Sequence, residues 1–485
     1  MRIPPRLRQP ALTDEPPIGA APVDNSGRRH KVLIIASRFP PVASVGATRV
    51  RKFVKFLPEF GWDPVVITGA ARKGDLTLHD ARRASDFESL ADLPAGVPVH
   101  RLGAALDHWP TYLARAAGQR LAPWTCALGV DELRWCSALK WRFEKLHDAL
   151  AFPDRGIWRL PSTVRLALRL HRQYRFDAIF STGMPFSDHV TAMVIQSLIR
   201  RPWLADFRDP WVEYIHWQQW QSDAGRRLTA AAESAVVRRA AFVISVNDPM
   251  TRRFAARYHG VGPAKFVTIA NGYDPADFPA SVPTPPTTGF RLLYAGSLYG
   301  ARTPHTLLAA FRQFLDDTPG SRRHAFIDFA GRPGPHVDEL LRESDAGNVR
   351  YLGMLPHGKT LEAMASADVN VIILPNLPGS ANDSTAKLYE CLGSNRAILA
   401  AVPIDGAAAN ELRRFDGVSI CDPDCVDQIS RAIGEYYQAW LSNDLTVRRP
   451  ASLLATVTRR HQTGQLAERL DAAVRASRCT LEVRP

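Results

Sequence analysis

Cysteine is scarce in this chain, with six among 485 residues. The closest two, Cys421 and Cys425 in CDPDC, have no second pair to complete a zinc site, and reduced thiols of a cytosolic protein are the simplest account. Long apolar runs are also missing. No stretch holds eighteen apolar residues in succession, which argues against a transmembrane helix. The opening MRIPPRLRQPALTDEPP carries charge and proline but lacks the apolar core of a secretory leader. Aromatic-flanked RNA motifs and zinc-finger spacings are absent, so nothing favours nucleic acid as a partner. The glycine-rich G-x-G-x-x-G fingerprint is absent too. Only Gly46 stands in the loop after the first strand, and a hydride-transferring oxidoreductase loses its main sequence support.

What is present describes a globular protein of more than one core. The chain is 46% hydrophobic and 22% charged, an ordinary composition for a folded protein, and its length implies two domains. A formal charge of +13 points to an anionic partner, whether nucleic acid, an acidic lipid surface or a phosphorylated substrate, and charge alone does not choose among them.

Residues 1–30 are rich in Pro, Arg and Asp without periodicity, which predicts a flexible tail. KVLIIAS from Lys31 reads as a parallel strand covered on both faces. The loop RFPPVASVGATR follows, and then a helix in which Val50, Phe53, Val54 and Leu57 recur at helical spacing. DPVVITG is the next strand, so the chain opens as β-loop-α-β and implies an open parallel sheet. Residues 103–160 read as a helical insertion of Trp- and Leu-faced amphipathic helices with basic polar faces, which suits an anionic membrane interface or packing within the domain. FDAIFSTG, RPWLADFRDPW, AAFVISVND and KFVTIANGYD are strands ending in small or polar residues, as at the ligand-binding edge of an α/β sheet. The proline-rich run within 279–290 reads as a linker between a first domain over 31–278 and a second over 291–450. Residues 451–485 form a return helix and tail. In the second domain a helix opens at Thr303 as N-cap, with Pro304 at its first position.

ILPNLPGSANDSTAKLYECLGSNRAILAAVP, from Ile373 to Pro403, reads as strand, small-residue loop, helix and strand. Its helix is capped by Asp383 or Ser384 and stops near Gly393. Free N–H groups and the helix dipole at its start suit a diphosphate. Lys387 and Glu390 fall on roughly the same face, placing a cation for phosphate beside a carboxylate for hydroxyls; an i,i+3 surface ion pair is the alternative. Asp422-Pro-Asp424 formally reads as D-x-D, but it lies beyond the phosphate loops and reads as a turn, so no metal is expected.

Seven phrases in order, SRFPPVASVGATR, FDAIFSTGMPFSDHV, ADFRDPW, IANGYDPADF, YAGSLYGAR, YLGML and STAKLYECLGSNRAILA, resemble the GT-B glycosyltransferases of family 4, in particular the bacterial subfamily that builds cell-surface polysaccharides. The resemblance implies an α/β protein of two Rossmann-like parallel-sheet domains facing a cleft. The activity it implies is transfer of a hexosyl group from a nucleoside-diphosphate sugar to a saccharide or lipid-linked acceptor. It further implies retention of configuration, no metal and no cofactor beyond the donor as co-substrate, in the cytoplasm or at the inner face of the membrane. On this resemblance the donor contacts are Gly46, Gly296, Ser297, Arg302, Gly353, Met354, Leu355, Ser384, Thr385, Lys387 and Glu390. Asp206, Arg208, Asp209 and His189 are the catalytic candidates, with a buried Asp-Arg pair and a packed histidine as the alternatives. Glu390 matches the second carboxylate of the family's E-x7-E motif, and Asn382 stands at the first. That departure leaves open a non-catalytic protein of the same fold acting in assembly. A nucleotide-sugar 2-epimerase is the third reading.

Overall fold

The computed structural model describes residues 28–42, 44–69, 90, 92–103, 151–213, 222–279, 289–332, 334, 341, 347–377, 382 and 384–482. The expected tail therefore lies almost wholly outside the described residues. So does most of the helical insertion, of which Arg155–Arg159 forms a 3-10 turn.

Alternate residues of the first strand feed two different cores. In β1 (His30–Ile35), Leu33 and Ile35 face one cluster and Val32 and Ile34 another, as expected for a parallel strand covered on both sides. β2 (Trp62–Gly69), β3 (Val99–Leu102), β4 (Ala178–Gly183), β5 (Trp203–Phe207), β6 (Phe242–Ser245) and β7 (Phe266–Thr268) complete a sheet in the order β3-β2-β1-β4-β5-β6-β7. Every pairing in it is parallel. Helix α1 (Val45–Phe56) covers one face with Val50, Phe53 and Val54. The other face carries α2 (Leu160–Tyr174), α3 (Ser187–Ile199), α4 (Asp223–Arg239) and α5 (Asp248–Arg257), contributing Leu170, Ile195, Val236 and Phe254 among others.

The second sheet repeats this plan. β8 (Phe290–Ala295), β9 (Ala325–Ala330), β10 (Val349–Gly353), β11 (Val369–Ile373), β12 (Ala397–Ala401) and β13 (Val418–Cys421) lie in the order β10-β9-β8-β11-β12-β13, all parallel. α6 (His305–Asp317) and α10 (Val426–Leu441) pack on one face through Phe311, Phe314, Ile433 and Tyr437. α7 (His357–Ser366), α8 (Ala386–Gly393), α9 (Ala407–Leu412) and α11 (Ala451–Ala455) lie on the other, with Leu361, Leu388, Leu412 and Leu454 in its core.

Two compact units result. One runs to Val246 and takes up Met250–Ile269 and the chain from Thr463; the other comprises Asn247–Pro249 and Ala270–Gln462. The last helix, α12 (Arg459–Glu482), supplies Leu466, Leu470 and Val474 to the α1 face of the first sheet. Residues 280–288 of the expected linker lie outside the described residues, and its expected last residue, Phe290, is instead the buried first residue of β8.

Two helix starts differ from the sequence expectation. Thr385, rather than Asp383 or Ser384, caps α8, its hydroxyl accepting from the Lys387 amide at 3.4 Å. Thr303 does not cap α6: that helix begins at His305, and Pro304 occupies the cap position with no side-chain bond. Proline has no N–H to place in the first turn, and its fixed φ suits entry from the outside as well as the first helical position.

Candidate active site

Each sheet has one point where strand order reverses, between β1 and β4 in the first and between β8 and β11 in the second. Loops leaving the carboxyl ends of such strands diverge and leave a crevice, the usual place for a ligand in an open α/β sheet.

In the first unit the loop after β1 delivers Gly46 into the first turn of α1, where Ser44 is the cap and accepts from the Ala47 amide. The Arg208 side chain occupies the space beside this glycine: a Cβ at position 46 would lie 1.2 Å from its Nη1 and would displace it. The Arg208 guanidinium thus rests against the helix start. Its Nε donates to the Gly183 carbonyl at 2.7 Å and its Nη2 to that of Met184. Burial lowers its pKa from the usual range, and Asp206 and then Asp209 act in the opposite sense. A cation beside a helix N-terminus makes a patch that favours an anion. The Asp209 backbone follows directly. Beyond it the loop is clamped: Glu233 on α4 accepts from the Val212 amide at 2.9 Å and the Tyr258 hydroxyl at 2.7 Å, while Trp211 stacks on Phe186 at 4.9 Å.

Asp206 has a different environment from its neighbours. Its carboxylate takes two hydrogen bonds from Arg49, at 2.9 and 3.1 Å, and a third from Thr182 at 2.8 Å. Arg49 also donates to the Ile269 carbonyl at 2.8 Å and lies over the Phe53 ring. This is the buried Asp-Arg alternative, with Arg49 rather than Arg208 as the partner. His189 is likewise enclosed. Its ring is fully buried beside Phe207, with centroids 4.5 Å apart, and Nδ1 is 2.8 Å from the Ser181 hydroxyl, which also accepts from Trp203 Nε1. Burial pushes its pKa down to about 3, so the ring is neutral, and Nε2 has no hydrogen-bond partner among the described residues. Its neighbour Asp188 takes the Ser37 amide at 2.7 Å and hydroxyl at 2.5 Å; burial raises it to about 6.

In the second unit, Gly296 and Ser297 follow β8, and Arg302 follows a turn closed by its own amide on the Tyr299 carbonyl at 3.0 Å. The Arg302 guanidinium lies over the Tyr299 ring at 5.2 Å. A Cβ on Gly331, whose φ is +137°, would come 2.0 Å from the Gly296 carbonyl oxygen, so β9 leaves directly beneath the loop. Gly353 ends β10 in a left-handed turn, φ +73°, followed by exposed Met354 and half-buried Leu355.

Ser384 and Thr385 lead into α8, on which Lys387 and Glu390 are partly exposed. They do not form the i,i+3 ion pair. Neither side chain makes a hydrogen bond or ion pair with any described residue, although both lie close enough to Cys391 to act on its thiol electrostatically. Behind them Arg449 anchors the end of α8 and its loop, donating to the carbonyls of Asp416 and Arg396 at 3.0 Å and of Leu392 at 3.5 Å. The carbonyl of Asn382 accepts from Asn247 Nδ2 at 2.7 Å. Asp422 accepts the Asp424 amide at 2.9 Å in a turn leading to α10.

Arg49 and Tyr294 are the residues that pattern reading passed over. Arg49 carried a signal, since it lies on the apolar stripe of α1 with Phe53 one turn on, and a charge on a buried face demands a buried counter-charge.

Residues 46–272 match the family model described as glycosyl transferase 4-like domain. No curated protein is a significant sequence match. Among solved structures, sucrose-phosphate synthase from Thermosynechococcus elongatus is similar at 16% identity and a TM-score of 0.57, over 92% of this chain and 100% of that one. A glycosyltransferase from Rickettsia africae is similar at 10% identity and a TM-score of 0.56, over 92% and 99%. Anabaena HepE in complex with UDP is similar at 14% identity and a TM-score of 0.56, over 91% and 100%.

Proposed function

We propose that this chain is a GT-B glycosyltransferase of family 4, that its second unit binds a nucleoside-diphosphate sugar and that its first, which holds most of the residues 46–272 matched as a glycosyl transferase 4-like domain, receives the acceptor. The observation that carries the reading is the pair Lys387 and Glu390, one turn apart at the start of α8, with no hydrogen-bond or ion-pair partner among the described residues. A lysine and a glutamate that leave each other unpaired fit a ligand carrying both phosphate and hydroxyl groups. HepE, a protein of this fold, is seen with UDP and with UDP-glucose; a uridine diphosphate sugar is the donor class proposed here.

The roles follow from the chemistry. As the bond from the anomeric carbon to the diphosphate breaks, negative charge grows on the departing oxygen. Arg302, Lys387 and the N-terminus of α8 stabilise that charge most in the transition state. Gly296 and Ser297 bring backbone close to the phosphates, Glu390 takes the ribose hydroxyls, and the Gly353–Leu355 turn borders the base. The acceptor oxygen attacks the face the diphosphate leaves, so configuration is retained, and its proton passes to the departing phosphate. No protein nucleophile and no metal enters the scheme. Arg208 and Asp209 are the charge-bearing groups of the first unit, while Asp206 and His189 hold the framework beneath them. The acceptor is a saccharide or lipid-linked saccharide of surface polysaccharide synthesis, met at an anionic membrane surface. Among the described residues no helix is long and apolar enough to cross a membrane.

Calorimetric titration with UDP tests the donor site. Glu390→Ala and Lys387→Ala should each weaken binding about tenfold or more, the scale of a lost charged hydrogen bond; unchanged affinity in both would remove the assignment. A donor panel with an oligosaccharide acceptor then tests transfer.

A further inference from the structure

Some arginines of the first unit are paired within it, Arg49 of α1 with Asp206, and Arg253 and Arg257 of α5 with Glu213. Those of the layer formed by α2, α3 and α4 are not. On α2, Arg165, Arg169 and Arg172 are exposed. Their i, i+4, i+7 spacing makes them one stripe, on the side opposite the buried Thr163, Ala167 and Leu170. The helix holds no acidic residue. α2 packs against α3 and α3 against α4, and the layer continues with exposed Arg200 at the end of α3 and exposed Arg227 and Arg238 on α4. These last two return to one helix face after about three turns. None of the six is paired with a carboxylate among the described residues, and the nearby acids are engaged elsewhere, Asp223 with Arg226 and Asp177 with Arg28. Two leucines stand on the same helices, Leu198 on α3 at 54% exposure and Leu228 on α4 at 51%. Helix stability does not account for the stripes. Like charges four residues apart repel, and Arg165 and Arg227 lie in the N-terminal halves of their helices, where the macrodipole gives a cation nothing.

We propose that this α2–α3–α4 face is an interaction surface for an anionic lipid bilayer, its arginines on headgroup phosphates and Leu198 and Leu228 at the acyl boundary. A guanidinium takes phosphate oxygens two at a time, and its apolar stem suits the interface. Every cation near an anionic surface adds attraction, and salt removes it. The exposed leucines favour a bilayer over nucleic acid, whose backbone offers phosphate but no apolar layer to receive them. The inference rests on the reading of an acceptor met at an anionic membrane surface. It gives that contact a place on the chain, the helix layer of the unit that receives the acceptor.

Co-sedimentation of the full chain with phosphatidylcholine vesicles, with and without phosphatidylglycerol, tests it, with thermal melting and UDP calorimetry alongside. Wild type should sediment with the anionic vesicles at low salt and be released at high salt. The α2 triple Arg165→Gln, Arg169→Gln, Arg172→Gln should lower that affinity on the order of a hundredfold, and the α4 pair Arg227→Gln, Arg238→Gln about tenfold or more. Both should melt and bind UDP as wild type does. The control triple Arg312→Gln, Arg323→Gln, Arg431→Gln removes as much charge from exposed positions of the second unit and should bind vesicles as wild type. Leu198→Gln with Leu228→Gln should weaken vesicle binding roughly tenfold and leave duplex DNA binding unchanged. Equal losses in the α2 and control triples, or equal binding to neutral and anionic vesicles, overturn the proposal. So does an α2 triple that loses duplex DNA but keeps vesicles, which hands the face to nucleic acid. Wild type that stays in the supernatant with both vesicle types sinks the membrane reading of the acceptor as well; wild type that binds vesicles but not UDP sinks the donor site alone. Should the α2 triple fail to fold, the α4 pair carries the test.

Discussion

Arg49 and Asp206 form a bidentate ion pair at 2.9 and 3.1 Å, at 1% and 0% exposure, joining the first helix to the fifth strand across 157 residues of sequence. All the hydrogen-bonding capacity seen at this carboxylate is turned inward. Removing one member leaves an uncompensated buried charge, so Arg49→Ala should cost about 3–5 kcal/mol of stability, measured by urea denaturation. Arg49→Met with Asp206→Leu should recover most of that loss. A single variant as stable as wild type would show the pair to be dispensable.

Gly46→Ala should separate stability from activity. Alanine is better than glycine inside a helix by roughly 0.5–1 kcal/mol, yet its Cβ would displace the Arg208 guanidinium from the start of α1. Thermal melting should hold or rise while sugar transfer falls by about two orders of magnitude, the cost of losing a preorganised charge at the reacting centre. Full activity in this variant would remove Arg208 from the site.

Asp188 and His189 titrate in opposite senses. His189 is lowered to about 3 from 6.5, so the unfolded chain binds its proton first, and stability from this group falls as pH drops below 6.5. Asp188 is raised to about 6 from 3.8; its contribution is full below 3.8 and is lost as pH rises through 6. Between pH 4 and 6 each slope is about 1.4 kcal/mol per pH unit, and the two offset one another. Denaturation at pH 6 and 4.5 should show His189→Gln gaining stability relative to wild type on acidification and Asp188→Asn losing it. Parallel pH profiles for both variants and wild type would contradict the burial of these groups.

Arg449→Met should destabilise the second unit, because the carbonyls of Asp416, Arg396 and Leu392 lose their shared donor. A buried acceptor left unpaired costs about 1–3 kcal/mol. Unfolding followed by urea should show that loss, and UDP affinity should weaken with it through loosening of α8. Wild-type stability in this variant would mean the carbonyls find other donors.

The repeating β-α plan was legible because parallel strands covered on both faces write themselves as unbroken apolar runs, KVLIIAS and RLLYAG among them. The lone glycine in the first loop was legible, but the space its missing Cβ leaves proved to be filled by the Arg208 guanidinium. Partnerships between distant residues were not legible. Nothing local in DFRDPW says that Asp206 turns to Arg49 while Arg208 turns to the Gly183 carbonyl, since strand alternation would put residues two apart on the same face and β5 ends between them at Phe207. His189 carried a histidine's usual ambiguity, and only the aromatic enclosure by Phe186, Trp203 and Phe207 decides it. The cap at Thr385 was missed by one residue because Asp383, Ser384 and Thr385 are all good caps.

The glycine at 296 has a bearing on how this chain can change over time. The space it leaves is already filled from below by the ring of Tyr294, so no larger residue enters without displacing that ring. Positions 294 and 296 are therefore one unit of inheritance. Among relatives that keep the tyrosine the glycine should be invariant, and a side chain at 296 should occur only where 294 has become smaller.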